Sequence, residues 1–132
     1  MVKVSEEVRK VFEKQCVIPF STASKNGIPN IASVGMWWWE DEETLVVSDN
    51  YLNKTKNNFM ENPIAALNGW ADGKSYQVKG IVEYHTSGIL YEKVRDRATS
   101  GQRKFPGKAA VVIKITDVFQ ETGGDSPGIK IA

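Results

Sequence analysis

Apolar residues fall at helical spacing over residues 4–15, where Val8, Val11 and Phe12 share one face. Ser5 stands where an N-cap belongs, and Glu6 and Glu7 suit the positive end of that helix. The period then changes. "CVIPFSTA" (16–23) predicts a strand, and the Asn26-Gly27 pair that follows is a hairpin signal. A second strand is expected from about Ile28 to Trp39, a solvated turn over "EDEE" (40–43), and a third strand over "TLVVSD" (44–49). A short helix follows from Asn53 to the Asn62-Pro63 stop. "IAALNGW" (64–70) and "SYQVKGIVEYH" (75–85) predict strands four and five around an "ADGK" turn. Leu90, Val94 and Ala98 lie four apart and predict a helix over 87–100. A basic loop, "SGQRKFPGK" (100–108), precedes the last strand, 109–120. The remaining tail to Ala132 is rich in Gly and Pro and is expected to be loose or to contact a partner.

Six strands, mostly hairpin-connected, with helices plugging the gaps, predict a mainly β domain closed into an antiparallel barrel. The 132 residues suit a single domain with a real core. A formal net charge of +1 excludes a broad nucleic-acid-binding face but leaves room for a local anion site. Cys16 is the only cysteine, so no intrachain disulfide can form, and a cytoplasmic location is expected. Cys16 itself is expected to be a small buried residue. No signal-peptide pattern and no membrane-spanning apolar run occur. Cys16 and the lone His85 cannot form a zinc site, so no metal is expected.

The helix beginning near Asn53 breaks a local rule. Lys54 and Lys56 fall in its first turn, where a cation loses roughly 0.3–1 kcal/mol against the helix dipole. One reading is a solvated helix face. The other is an anion at the helix N-terminus, met by the lysines, the Thr55 hydroxyl and the Asn53 and Asn57 amides. The sequence has no P-loop and no GxGxxG run, which argues against a nucleoside triphosphate or a dinucleotide fold.

The order "LVVSDNYLNKTKNN", helix, "ENP", strand "IAAL" resembles the FMN-binding split-barrel family related to pyridoxamine 5'-phosphate oxidase. "STASKNGIPNIASVGMWW" is similar to that family's first hairpin, and "YQVKGIVEYH" to its strand five with a central glycine. The likeness runs from Glu6 to Phe119. It implies a six-stranded antiparallel split β-barrel that forms a homodimer with FMN in a groove at the interface. By position it implies that Lys54 and Thr55, with Asn53 and Asn57, hold the flavin phosphate. It further implies that Ala32, Ser33, Val34 and Gly35 meet the ring edge, that Ser48 and Asp49 contribute from strand three, and that Ser75 and Gln77 add polar contacts. Small residues at 32, 33 and 35 would let a flat ring reach the backbone. Arg97, Arg103 or Lys104 would add charge from the basic loop.

The tail lacks the Arg and His with which the full oxidase grips its substrate. The resemblance therefore implies a small FMN oxidoreductase or electron carrier, fed by NAD(P)H or a redox protein, and not that oxidase. The rivals are an F420-binding reductase of the same fold and a cofactor-free binding or scaffold barrel. No catalytic side chain is expected, because the flavin itself carries the chemistry. The run Trp37-Trp38-Trp39 is read as core and dimer packing, with stacking near the flavin as the alternative.

Overall fold

The computed structural model describes residues 1–132. Helix α1 spans Glu6–Glu13, and its Ser5 cap accepts a hydrogen bond from the Val8 N–H at 3.3 Å. The strands are β1 (Ile18–Ala23), β2 (Pro29–Val34), β3 (Trp37–Asp41), β4 (Thr44–Ser48), β5 (Ile64–Ala71), β6 (Lys74–His85), β7 (Ala110–Gln120) and β8 (Ile129–Lys130). Helix α2 (Lys54–Glu61) lies between β4 and β5, and α3 (Ile89–Ser100) between β6 and β7. The sheet order is β2-β1-β5-β6-β7-β4-β3, every pairing is antiparallel, and β8 joins β7. The sheet curls into the half-barrel of the split-barrel fold. No helix is long and apolar enough to cross a membrane.

Three sequence expectations change here. The long strand from Ile28 to Trp39 is two strands. β2 pairs with β1, Val34 opposite Ile18, whereas β3 pairs with β4, Trp37 opposite Val47. They form opposite edges of the sheet. Curling brings those edges near one another, so the chain steps across at Gly35-Met36 without any change in its apolar pattern. The Met36 carbonyl accepts the Ser48 N–H at 2.9 Å and fixes the step. Cys16, expected inside, is exposed, because it lies in the turn before β1 begins. The tail folds back as β8, and Val118 and Ala132 exchange backbone hydrogen bonds.

The core fills the inside of the curl. Phe12, Ile18, Phe20, Leu45, Leu67, Ile113 and Ile115 are completely or almost completely buried there. Strand β4 is buried on both faces, which explains its unbroken apolar run. Its Val46 packs with Val112, Ala110 and the α3 residue Val94 in a second cluster. Trp37 and Trp39 pack against the main core, edge-on to Phe12, while Trp38 faces the second cluster.

Two glycines are demanded by close approach. A Cβ at Gly80 would lie 2.5 Å from the Lys114 carbonyl oxygen, at the bulge between β6 and β7. A Cβ at Gly69 would lie 2.6 Å from the Phe12 ring, which fixes how closely α1 sits on β5. Asp72 and Gly73 both take positive φ, the two-residue turn that matches strand twist in the β5–β6 hairpin.

Candidate functional site

The chain leaves β4 at Ser48 and passes through a short loop into α2. Asp49 turns that loop: its carboxylate accepts the Leu52 N–H at 3.1 Å and the Tyr84 hydroxyl at 2.5 Å. Asp49 is completely buried. Burial, followed by the hydrogen bond to Asp49, pushes the Tyr84 phenol well above its ordinary range, so Tyr84 stays a donor. Asn50 ties the loop to two other segments. Its Oδ1 accepts the Ser48 hydroxyl at 2.8 Å and the Gly107 N–H at 3.0 Å.

These ties create a cavity of about 410 Å³ lined by Ala32, Ser33, Val34, Gly35 and Met36 on one side. Ser48, Asn50, Tyr51, Leu52 and Phe105 complete the lining. No lining side chain is charged. The volume lies within the range of about 300–1,000 Å³ usual for small-molecule sites. β2 is an edge strand, so half of its backbone N–H and C=O groups have no ladder partner.

Helix α2 starts two residues beyond the lining residue Leu52. Its first turn contains no acidic residue, and Asn53 makes no capping hydrogen bond through its side chain. The helix therefore presents a bare positive N-terminus. Lys54 is exposed and has no carboxylate within ion-pair distance. Thr55 is buried, and its hydroxyl accepts the Asn30 amide at 3.0 Å. Asn58 reaches Thr22 at 3.1 Å and Asn62 reaches the Ala23 carbonyl, which docks α2 on the first hairpin. Lys56 lies over the Tyr84 ring at 4.8 Å.

Thus Ala32, Ser33, Val34, Gly35 and Ser48 meet at one cavity. Asn53, Lys54, Thr55 and Asn57 belong to the adjoining helix start, and Asp49 lies beneath, shaping the loop. Ser75 and Gln77 are elsewhere. Ser75 pairs with Trp70 near the β5–β6 turn, and its N–H donates to Thr122 at 3.0 Å. None of the three consecutive tryptophans lines the cavity. Trp38 is covered by Arg97, 4.1 Å from its ring centre, and donates to Glu40, which Lys93 also holds. The Lys93 hydrogen bond keeps the Glu40 carboxyl below its ordinary range. His85 pairs with Glu83 at 2.9 Å and does not reach the cavity.

Sequence reasoning missed Met36, Asn50, Tyr51, Leu52 and Phe105. Asn50 to Leu52 stood inside the resembling stretch. Phe105 carried no signal, because a tie 57 residues long, from Gly107 to Asn50, brings its loop to the cavity.

The sequence profile of the pyridoxamine 5'-phosphate oxidase family matches residues 4–121. An uncharacterized protein of Methanocaldococcus jannaschii is 37% identical over 136 residues, spanning 100% of this chain and 90% of that protein. HupZ of Group A Streptococcus superposes with a TM-score of 0.82 at 23% identity, covering 95% of this chain and 99% of that one. An FMN-binding protein from Syntrophomonas wolfei superposes with a TM-score of 0.79 at 19% identity, covering 91% and 87%. An F420 reductase and HutZ, the heme storage protein of Vibrio cholerae, share the fold at TM-scores of 0.67 and 0.61. The fold by itself therefore does not select the cofactor.

Proposed function

The chain belongs to the pyridoxamine 5'-phosphate oxidase family, and from that premise we propose that it is an FMN-binding flavoprotein acting as a small oxidoreductase or electron carrier. One observation carries this reading. A neutral cavity walled by an edge strand of small residues adjoins a helix N-terminus that has an unpaired lysine and no cap.

The residues suit FMN by their own chemistry. Ala32, Ser33 and Gly35 leave the β2 backbone accessible, and its unpaired edge groups match the donor and acceptor edge of an isoalloxazine ring. Lys54, the N–H groups of the first turn and the Asn53 and Asn57 amides suit a phosphate dianion. Thr55 already accepts from Asn30, so its own hydroxyl proton is free to donate. When bound, FMN supplies hydride or electron transfer. The chain's part is to bind, orient and shield it. Tyr51, 68% exposed, and half-buried Phe105 are the aromatic residues of the lining. NAD(P)H or a redox protein would supply the electrons.

The chain is proposed to work as a homodimer. Register places Ile31, Ser21, Ala66, Ile64 and Ile81 on the outer face of the sheet. Ile31, Ile64 and Ile81 are 69%, 57% and 44% exposed, an apolar patch suited to a second copy.

The absorption spectrum of the purified protein tests the cofactor. An oxidised-flavin spectrum, with FMN released on denaturation, is expected. Release of F420, or a colourless protein that ignores added FMN, would overturn the reading.

A further inference from the structure

The loop over 101–108 contributes Phe105 to the cavity lining, and it is built rather than merely adjacent. The Phe105 N–H donates to the Ala98 carbonyl at 2.8 Å, and the Lys108 N–H to the Asp49 carbonyl at 2.8 Å. Arg95 reaches the Pro106 carbonyl at 2.5 Å, and Gly107 donates to Asn50 at 3.0 Å. Gly107 takes a φ of +48°, and a Cβ there would lie 2.6 Å from that of Ala98, so the loop packs tightly on α3.

Most cations on this side of the fold are committed, the exposed Lys108 apart. Arg97 covers Trp38, Arg95 holds the loop, Lys93 pairs with Glu40, and Lys104 donates to the Thr99 carbonyl. Arg103, like Lys108, is unpaired, and it is the cation that stacks on the cavity lining. Its guanidinium lies 5.0 Å from the ring centre of the cavity-lining Phe105, and it has neither a carboxylate nor a hydrogen-bond acceptor. It keeps all five N–H donors free beside a cavity without charge of its own.

We infer that Arg103, stacked on Phe105 at the cavity wall, receives the anionic group of the reactant that meets the cofactor. The reactant class is a molecule bearing a phosphate, pyrophosphate or carboxylate, with a part small or flat enough to enter the cavity beside Phe105. This rests on the cofactor reading above. It places the cofactor phosphate on Lys54 and a second anion on Arg103. A planar, always-charged fork suits oxyanions, and one uncompensated charge at a cleft raises the encounter rate of anions.

Two measurements test it. In the cofactor-free protein, the side-chain Nε–H resonance of Arg103, identified by its loss in Arg103→Gln, is followed during titration with inorganic pyrophosphate. A saturable shift, not reproduced by sodium chloride of equal ionic strength, is expected. In the FMN-loaded, chemically reduced protein, re-oxidation is timed with ferricyanide and with uncharged benzoquinone. Each fully reduced flavin gives up two electrons, so two ferricyanide ions become ferrocyanide, whereas one benzoquinone takes both electrons and two protons.

Arg103→Gln should slow ferricyanide by roughly three- to tenfold and leave benzoquinone unchanged. Its preference for FMN over riboflavin should match that of the parent. A motionless resonance, or equal slowing of both oxidants, overturns the assignment. So does a resonance shift without discrimination between the oxidants, because the anion would then lie off the reactant's path. Loss of the FMN preference assigns Arg103 to the cofactor phosphate and also overturns it. If the protein takes up no FMN, the cofactor reading has failed, and the pyrophosphate titration still decides whether Arg103 holds an anion.

Discussion

The Tyr84 hydroxyl donates to Asp49 at 2.5 Å, joining the end of β6 to a carboxylate with no exposed surface. The same carboxylate holds the Leu52 N–H, so one buried group sets the loop that lines the cavity and leads into α2. Tyr84→Phe removes one of the two hydrogen bonds on a buried carboxylate. A loss of roughly 1–3 kcal/mol is expected, read as a lower urea midpoint at unchanged slope. An unchanged midpoint would mean that water replaces the phenol at no cost.

Burial, more than the bond to Asp49, raises the Tyr84 phenol above its usual 10.0 in the folded chain. Tyr76 shifts the same way, again chiefly through burial. Above pH 10 the unfolded chain gives up these protons and the folded chain keeps them, so stability falls as pH rises. Urea midpoints should decline from about pH 10 upward, and Tyr84→Phe should flatten that decline. A decline of the same slope in the variant would assign it to other groups.

Lys54→Met tests the phosphate contact. A hydrogen bond to a charged group contributes roughly 1.5–3 kcal/mol, so FMN affinity should drop about ten- to hundredfold. Riboflavin, without the phosphate, should lose far less. Equal losses, measured by titration of flavin fluorescence, would show that Lys54 serves something other than the phosphate.

Gly80→Ala tests the bulge where β6 meets β7. The added Cβ meets backbone at the Lys114 carbonyl and the Ile113 side chain at 2.7 Å, and neither can swing aside cheaply. Destabilisation of roughly 1–3 kcal/mol is expected, measured by chemical denaturation. Gly123→Ala controls for loss of glycine as such: its φ is not positive, and a Cβ there meets nothing.

The outer sheet face makes the oligomer testable. Ile81→Glu places a charge beside Ile64, its cross-strand partner, on the patch assigned to the second copy. Sedimentation at micromolar concentration should show a dimer for the parent chain and a monomer for the variant, with FMN affinity falling in parallel. A monomeric parent that binds FMN tightly would contradict a shared groove.

The sequence by itself determined most of the elements and the local conflict at the start of α2. The capped α1, the Asn26-Gly27 turn, the buried face of α3 and the run from Ser48 into α2 are written in local periods and turn chemistry. Each depends on neighbours a few residues away. The bare α2 N-terminus was legible for the same reason, since a lysine in a first turn is a local conflict. Tertiary structure decided what lay across the sheet. It split one apolar run at Gly35-Met36, because curling joins edges that the pattern cannot distinguish. It sent Ser75 and Gln77 to the far end of β6 and brought Phe105 and Asn50 together. It also set Arg103, and not Arg97 or Lys104, against the cavity-lining Phe105. A hydrophobic pattern fixes which face of a strand is buried. Which distant segment meets that face depends on closing the sheet, and no stretch of local sequence carries that information.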